Sequence, residues 1–271
     1  MAPSDHVSGD RPGLALVTGA SSGIGRALAE QLVDRGYDVV VTGRSDAVHA
    51  AADALRARRP DREVHPVRAD LAHPEGVELL WGEVTGRGED LAVAALNAGV
   101  GVGGTFAGSD LARHLELVDL NVRSTVHLAG LAVDHMAARR SGRILVTASV
   151  AAVAPSPYQA TYAASKAFVH SFAEGIAQEL RGSGVTVTSL MPGPTDTRFF
   201  DRAGLADAPI ARGRKDDPGD VARDAVDALL AGKRHVRAGS LRTAVLAEVL
   251  THLPDAIGSR AMGLQSRPRR R

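Results

Sequence analysis

The chain has 271 residues and a formal net charge of +1, with 44% hydrophobic and 23% charged residues. This size and composition are typical of one large globular α/β domain and exclude a wholly disordered chain. The absence of cysteine excludes disulfides, thiolate nucleophiles and Cys-ligated metal sites, and the balanced charge gives no general attraction to nucleic acid or anionic membranes.

Short apolar runs alternate along the chain with segments whose apolar residues recur at helical spacing. Residues 1–12 are polar and are predicted to be a flexible tail. The predicted strands are 14–17, 38–41, 64–67, 91–96, 143–147, 185–190 and 235–237. The predicted helices are 24–35, 46–59, 74–86, 109–139 in one or two pieces, 162–180 and 218–230.

The strands are apolar throughout, which is typical of a parallel sheet that is covered on both faces. We therefore predict one Rossmann-type doubly wound α/β domain over residues 13–254, with about seven parallel strands in a three-layer αβα arrangement. Residues 255–271 are predicted to be a C-terminal extension with a basic tail. Residues 194–217 lack a clear pattern, and a loop of that length is usually functional or disordered.

A glycine-rich turn, Thr18-Gly19-Ala20-Ser21-Ser22-Gly23-Ile24-Gly25, joins the first strand to the first helix. Glycines allow a pyrophosphate to approach the backbone, and the helix N-terminus offers unpaired N–H groups. The turn therefore predicts a dinucleotide site. Residues 19–23 also match the G-x-S-x-G nucleophile elbow of α/β-hydrolases, but the roughly eighteen preceding residues are too few for the strands which that fold needs upstream.

Arg44 follows the second strand, where an NAD site usually has an acidic residue. A guanidinium can bind a 2′-phosphate with two hydrogen bonds, which favours NADP(H). Asp46 lies close by and keeps NAD(H) possible.

Tyr162 and Lys166 begin a predicted helix at a spacing that places both side chains on one face. A free tyrosine has a pKa of about 10, and a neighbouring ammonium lowers it toward the range useful for acid–base catalysis. The chain has only three tyrosines and three lysines, so chance would give about 0.03 such pairs. The alternative is a core tyrosine beside a surface lysine.

Further polar or turn-forming residues follow the predicted strands: Asp70, Asn97, Ser149 and Pro192-Gly193. Ligands of open parallel sheets bind outside these carboxyl ends. Asn121 lies within a predicted helix, where asparagine is unfavourable and its presence suggests a special role.

Together these residues resemble the short-chain dehydrogenase/reductase family over about residues 12–235. The resemblance rests on the ordered set Thr18-Gly19-x3-Gly23-x-Gly25, Asp70, Asn97-Ala98-Gly99, Asn121, Ser149, Tyr162-x3-Lys166 and Pro192-Gly193. It implies an NAD(P)H-dependent oxidoreductase of the NADP(H)-preferring branch that reduces a ketone or aldehyde to an alcohol, or catalyses the reverse reaction. It also implies a homodimer or homotetramer.

The resemblance assigns a role to each member of the tetrad. Tyr162 would exchange a proton with the substrate oxygen, and Ser149 would hydrogen-bond that oxygen. Lys166 would lower the pKa of the tyrosine and hold the nicotinamide ribose, and Asn121 would order a water that links Lys166 to solvent. The implied cofactor contacts are Thr18, Gly19, Ser21, Ser22, Gly23, Ile24, Gly25, Arg44, Asp70, Leu71, Asn97, Ala98, Gly99, Tyr162, Lys166, Pro192, Gly193, Thr195 and Thr197.

The substrate is a small molecule whose identity the sequence leaves open. Val150, Tyr158, Phe199 and Phe200 are candidate pocket residues that predict an apolar pocket, although ordinary loop packing also explains them. A hydrophobic ketone, a 3-oxoacyl thioester or a polyketide intermediate would fit such a pocket. The alternative function is a non-catalytic NADP(H)-binding sensor or subunit, against which the complete tetrad argues.

Several other partners and locations are not expected. The ten histidines show no metal-binding spacing, so we expect no metal. No apolar run reaches the roughly 18 residues of a membrane helix, and the first residues lack a signal-peptide pattern. We therefore expect a cytoplasmic protein that has no nucleic-acid or membrane partner.

Overall fold

The computed structural model describes residues 12–240, 248–249, 252 and 254–267. Within them lies a seven-stranded parallel sheet with the order β3-β2-β1-β4-β5-β6-β7. The strand order reverses between β1 and β4, which is the point where ligands bind in such sheets. The strands are β1 (Leu14–Thr18), β2 (Asp38–Gly43), β3 (Val64–Arg68), β4 (Leu91–Leu96), β5 (Gly142–Thr147), β6 (Val185–Leu190) and β7 (His235–Val236).

Among the described residues, helices connect successive strands and cover both faces of the sheet, and a last helix follows β7. They are α1 (Gly23–Asp34), α2 (Ala47–Arg58), α3 (Pro74–Thr85), α4 (Leu111–Val118), α5 (Ser124–Ala138), α6 (Ala160–Glu179), α7 (Phe199–Arg202), α8 (Pro209–Arg212), α9 (Pro218–Leu230) and α10 (Asp255–Ser266). The predicted Rossmann-type three-layer fold is confirmed. The predicted helix over 109–139 is two helices, α4 and α5, joined by a π-helical turn at Asp119–Arg123.

Two apolar cores lie on opposite faces of the sheet. Val39 and Val41 of β2 belong to the core that α1 and α9 cover, whereas Val40 belongs to the core that α3, α5 and α6 cover. Successive side chains of a strand point to opposite faces, and both faces are covered. This explains the continuous apolar sequence of strands such as β4.

The segment without a sequence pattern, 194–217, contains two helices of four residues each, α7 and α8. Phe200 and Leu205 of this segment form a small buried cluster with Ala203 and Ala208. Helices of one turn are too short to show a periodicity, and for this reason the pattern missed them.

The ends of the chain bear on the predicted domain boundaries. Residues 1–11 and 268–271 lie outside the described residues, as does most of the stretch 241–253. The helix α10 begins at Asp255, and its Met262 is buried against the body of the domain. The division at residue 254 therefore stays a prediction. No helix among the described residues is long and apolar enough to cross a membrane.

Candidate active site

A cavity of about 690 Å³ lies at the carboxyl ends of the strands, beside the reversal of strand order. The fold brings most of the predicted site residues to it from separate loops. Those that line the cavity are Gly19, Ser21, Ser22, Gly23, Ile24, Gly25, Arg44, Asp70, Leu71, Asn97, Ala98, Gly99, Ser149, Val150, Tyr162, Lys166, Pro192, Gly193, Thr195, Thr197, Phe199 and Phe200. The cavity lining does not include Thr18, Asn121 or Tyr158.

The turn after β1 needs glycine for two physical reasons. Gly19 and Gly23 have φ angles of +68° and +59°, a region that other residues rarely adopt. Gly25 has no room for a side chain, because a Cβ there would lie 2.3 Å from the Gly19 carbonyl oxygen. A Cβ on Gly23 would lie 2.9 Å from a Thr197 methyl carbon, so the loop after β6 closes against this turn.

Thr18 is buried and is not part of the cavity lining, and its predicted place among the cofactor contacts stays a prediction. Its Oγ1 accepts hydrogen bonds from the backbone N–H groups of Asn97 (2.8 Å) and Ala98 (2.9 Å). The Asn97 Nδ2 donates to the Thr18 carbonyl oxygen at 3.1 Å. Thr18 therefore joins the ends of β1 and β4 rather than facing the cavity.

Ser149, Tyr162 and Lys166 form one buried polar group. Ser149 follows β5 and caps a 3-10 turn at Val150–Val153, with its Oγ accepting from the Ala151 N–H at 3.1 Å. The Ser149 side chain is close enough to Tyr162 to lower the pKa of its phenol. One helical turn further along α6, the Lys166 Nζ donates to the Thr147 carbonyl oxygen at 2.7 Å and lies 6.0 Å from the centre of the Tyr162 ring.

Burial dominates the acid–base properties of this pair. It raises the pKa of Tyr162 to about 12, and the Ser149 side chain only partly opposes that shift. Burial also lowers the pKa of Lys166 to about 8. The lowered tyrosine pKa expected from the Tyr162–Lys166 spacing is therefore not found, because loss of hydration disfavours the phenolate. A phenol with this pKa is protonated at neutral pH.

Asn121 lies in the π-helical turn, behind the cavity, and holds the loop after β4. Its Oδ1 accepts from the Val100 N–H at 2.9 Å, and its Nδ2 donates to the Val100 carbonyl oxygen and the Ser165 Oγ, both at 3.0 Å. A Cβ on Gly99 would lie 3.1 Å from Asn121 Oδ1 and 3.3 Å from Lys166 Nζ. Asn121 thus lies next to Lys166, although not in the cavity lining.

Comparison with known proteins identifies the family. The sequence model of the short chain dehydrogenase family matches residues 13–207. The chain belongs to this family. The predicted family is thereby confirmed.

This short-chain dehydrogenase is 31% identical over 216 residues to an uncharacterized oxidoreductase of Staphylococcus saprophyticus, a match that covers 80% of this chain and 90% of the relative. Two solved structures share its fold. A short-chain dehydrogenase from Sphingobium yanoikuyae in complex with NADPH has a TM-score of 0.79 and 26% identity, covering 88% of this chain and 91% of that one. A short-chain dehydrogenase/reductase from Burkholderia phymatum in complex with NAD has a TM-score of 0.76 and 27% identity, covering 87% and 91%.

The cavity of this short-chain dehydrogenase also has lining residues that sequence reasoning missed. Arg113 and Glu116 come from α4, and Met262 and Gln265 come from α10. Gln159, just before α6, is another such residue. None of them belongs to a recognisable motif, so the sequence carried no signal for them.

A buried hydrogen bond attaches α10 to the residue that precedes α6. The Gln159 Nε2 donates to the Ser266 Oγ at 2.7 Å, and the two residues are 3% and 0% exposed. Tyr158, for which we predict substrate contact, has a φ of +65°, and its carbonyl oxygen accepts from the Gly104 N–H at 2.9 Å. The neighbouring Gln159, rather than Tyr158, thus contributes to the cavity wall.

In the described part of the chain, no group of three or more His, Cys, Asp or Glu side chains is placed to hold a metal ion.

Proposed function

We propose that this short-chain dehydrogenase interconverts a carbonyl compound and an alcohol with NADP(H), and less readily with NAD(H), as cofactor. The observation that carries the proposal is the meeting of two features in one cavity. The glycine turn after β1 and the buried group of Ser149, Tyr162 and Lys166 both line it. The nicotinamide would supply or take up the hydride, as it does in dehydrogenases generally.

The residues of the cavity fit such a cofactor. The glycine turn has the close backbone approach and the positive φ angles that a pyrophosphate site requires. The NADPH and NAD of the two related structures support a nicotinamide cofactor. Asp70, Leu71 and the 97–99 segment would hold the adenosine side, with Arg44 on the 2′-phosphate.

The loop after β6 would hold the nicotinamide side. Thr195 donates its hydroxyl to the Gly193 carbonyl oxygen at 3.0 Å, which shapes the turn after Pro192. Thr197 accepts from the Phe199 N–H at 3.3 Å and contacts the glycine turn. These contacts support the assignment of this loop to the carboxamide end of the cofactor.

Tyr162 would donate its phenolic proton to the substrate oxygen as the carbonyl is reduced. Burial favours this direction near neutral pH, because it keeps the phenol protonated. Ser149 would hydrogen-bond the same oxygen and hold it near the tyrosine. Lys166 and Asn121, which lie together beside Gly99, would return a proton to the phenolate through ordered water.

The substrate side of the cavity combines apolar and polar groups. Val150, Phe199, Phe200 and Met262 line it, and the Phe199 ring lies 5.0 Å from that of Tyr162. This lining supports a hydrophobic ketone or aldehyde. A 3-oxoacyl thioester or polyketide intermediate is the alternative substrate class.

We also propose that the protein forms a homodimer or homotetramer. Leu111, Leu115 and Val118 are exposed at helical spacing on α4, and Val126 continues the row on α5. An exposed apolar row of this kind supports contact with a second copy. Light scattering tests this directly, and a monomer at micromolar concentration would contradict it.

The decisive experiment for the function is a fluorescence titration of the purified protein with NADPH and, separately, with NADH. Tighter binding of NADPH supports both the cofactor site and Arg44 as its 2′-phosphate ligand. Tighter binding of NADH is consistent with the proposed oxidoreductase activity but overturns the role of Arg44. Binding of neither overturns the proposed function. A screen of carbonyl substrates then separates an enzyme from a non-catalytic NADP(H)-binding protein.

A further inference from the structure

Arg44 is held by an acidic side chain from a distant element. The Arg44 Nη1 donates to the Glu116 Oε1 at 2.6 Å, although 72 residues separate them. Arg44 directly follows the end of β2, whereas Glu116 lies on α4. Both residues line the cavity, and their side chains are 64% and 48% exposed. The Glu116 carboxylate therefore uses one N–H group of a guanidinium that lines the proposed cofactor cavity.

The acid that the sequence places near Arg44 is engaged elsewhere. Asp46 forms an ion pair with Arg68 at 3.1 Å, and the Arg68 Nε also donates to the Arg44 carbonyl oxygen at 3.4 Å. Glu116, rather than Asp46, is thus the carboxylate bound to the Arg44 guanidinium. This contact depends on where α4 lies over the strand ends, so sequence spacing cannot show it.

From this contact we propose that Glu116 determines cofactor specificity by competing with the 2′-phosphate of NADP(H) for Arg44. The inference rests on the proposed function. A 2′-phosphate carries a charge between −1 and −2 at neutral pH and needs the N–H groups of the guanidinium for paired hydrogen bonds. One of these groups already donates to Glu116, and the carboxylate repels a second anion beside it. NAD(H) has a neutral hydroxyl in place of the 2′-phosphate, so the Glu116 carboxylate does not repel it.

The size of the effect follows from the exposure of the pair. Two unit charges about 4 Å apart in water interact weakly, and salt reduces the interaction further. We therefore expect that removing the Glu116 charge raises NADPH affinity by about 5- to 10-fold at low ionic strength. The affinity for NADH should change less than about 2-fold.

The test is a fluorescence titration of Glu116→Gln and the unmodified protein with both cofactors. Glutamine retains the size of the side chain and one acceptor oxygen but removes the charge. The control for net charge is Asp53→Asn, because Asp53 pairs with Arg56 on α2 and lies outside the cavity lining. The same Glu116→Gln change is then made in an Arg44→Ala background, which completes a double-mutant cycle.

The expected result is a gain in NADPH affinity for Glu116→Gln that is absent in Asp53→Asn and disappears when Arg44 is alanine. Unchanged or weaker NADPH binding by Glu116→Gln overturns the inference, since the carboxylate would then be neutral or would position Arg44. An equal gain without Arg44 also overturns it. Binding of neither cofactor by the unmodified protein is distinguishable from these results, because it overturns the proposed function itself.

Discussion

The two sides of the cavity are built in different ways. The glycine-turn side consists of residues 19–25, 70–71 and 97–99, and close backbone approach shapes its turn. On the tyrosine side, side chains from distant elements meet: Ser149, Val150, Ala151, Gln159, Tyr162, Lys166, Phe199, Phe200, Met262 and Gln265. Its Gln159–Ser266 hydrogen bond joins residues that are 107 positions apart. Unusual backbone conformations and close backbone approach require glycine and can therefore be recognised in the sequence. Contacts between distant side chains produce no recognisable motif.

The largest expected effect separates chemistry from binding. We expect Tyr162→Phe to lower turnover by about 10²- to 10⁴-fold, because the ring can still pack on Phe199 but the proton donor is gone. Cofactor affinity should stay within about 2-fold, since the glycine-turn side is untouched. Stopped-flow reduction of a carbonyl substrate measures the first quantity. Tyr37→Phe, in the core and outside the cavity, is the control, and full turnover by Tyr162→Phe would refute the assignment.

One added methyl group, in Gly25→Ala, should disrupt the glycine turn. In Gly25→Ala the new Cβ would lie 2.3 Å from the Gly19 oxygen and 2.5 Å from the Asn97 Nδ2. We expect the free energy of unfolding to fall by about 1–3 kcal/mol. We also expect cofactor affinity to fall at least 10-fold, which corresponds to a loss of about 1.4 kcal/mol of binding free energy. Urea denaturation and cofactor titration measure the two effects. Normal cofactor binding by this variant would be inconsistent with the assigned site.

The matched control for this glycine is Gly82→Ala in α3. A Cβ at Gly82 has no neighbour within 4 Å. Alanine is the better helix former, so we expect a gain of about 0.5–1 kcal/mol in stability and unchanged cofactor binding.

On the tyrosine side, the burial of Lys166 predicts a dependence of stability on pH. Its pKa falls from 10.5 to about 8 in the folded protein, so between these values the unfolded chain binds a proton that the folded chain has released. The folded state therefore gains stability as pH rises through this window. Relative to Lys166→Met, the unmodified protein should gain about 3 kcal/mol between pH 8 and 10.5. Urea denaturation across this range measures the difference, and a constant difference would show that the lysine titrates normally.

The last prediction concerns the attachment of α10. Ser266→Ala removes the partner of the buried Gln159 amide, which we expect to cost about 1–3 kcal/mol of stability. Because Met262 and Gln265 lie on the same helix, the KM for substrate should rise while cofactor affinity stays unchanged. Ser259→Ala, on α10 but outside the cavity lining, is the control. A rise in the Kd for cofactor instead of the KM for substrate would show that α10 acts on the glycine-turn side.

Sequence reasoning recovered the parts of the fold that depend on local pattern. The bounds of β6 and α9 agree with prediction. Strand-favouring Val and Thr residues mark β6, and a proline marks the start of α9. The π-helical turn around Asn121 was missed, since its apolar spacing continues that of the helices on either side. The hydrogen bonds of the Thr18 hydroxyl to the end of β4 were not predicted, because its motif does not show the direction of its side chain.

By itself the sequence determined the order of strands and helices, the family, the glycine turn and the spacing of Tyr162 and Lys166. Each of these depends on residues that are close along the chain or on the requirements of the backbone. Only the tertiary structure decided that Glu116 binds Arg44, that α10 forms a wall of the cavity, and that burial raises the pKa of Tyr162 to about 12. These features arise from packing between distant elements, because contact partners and loss of hydration exist only once the chain has folded.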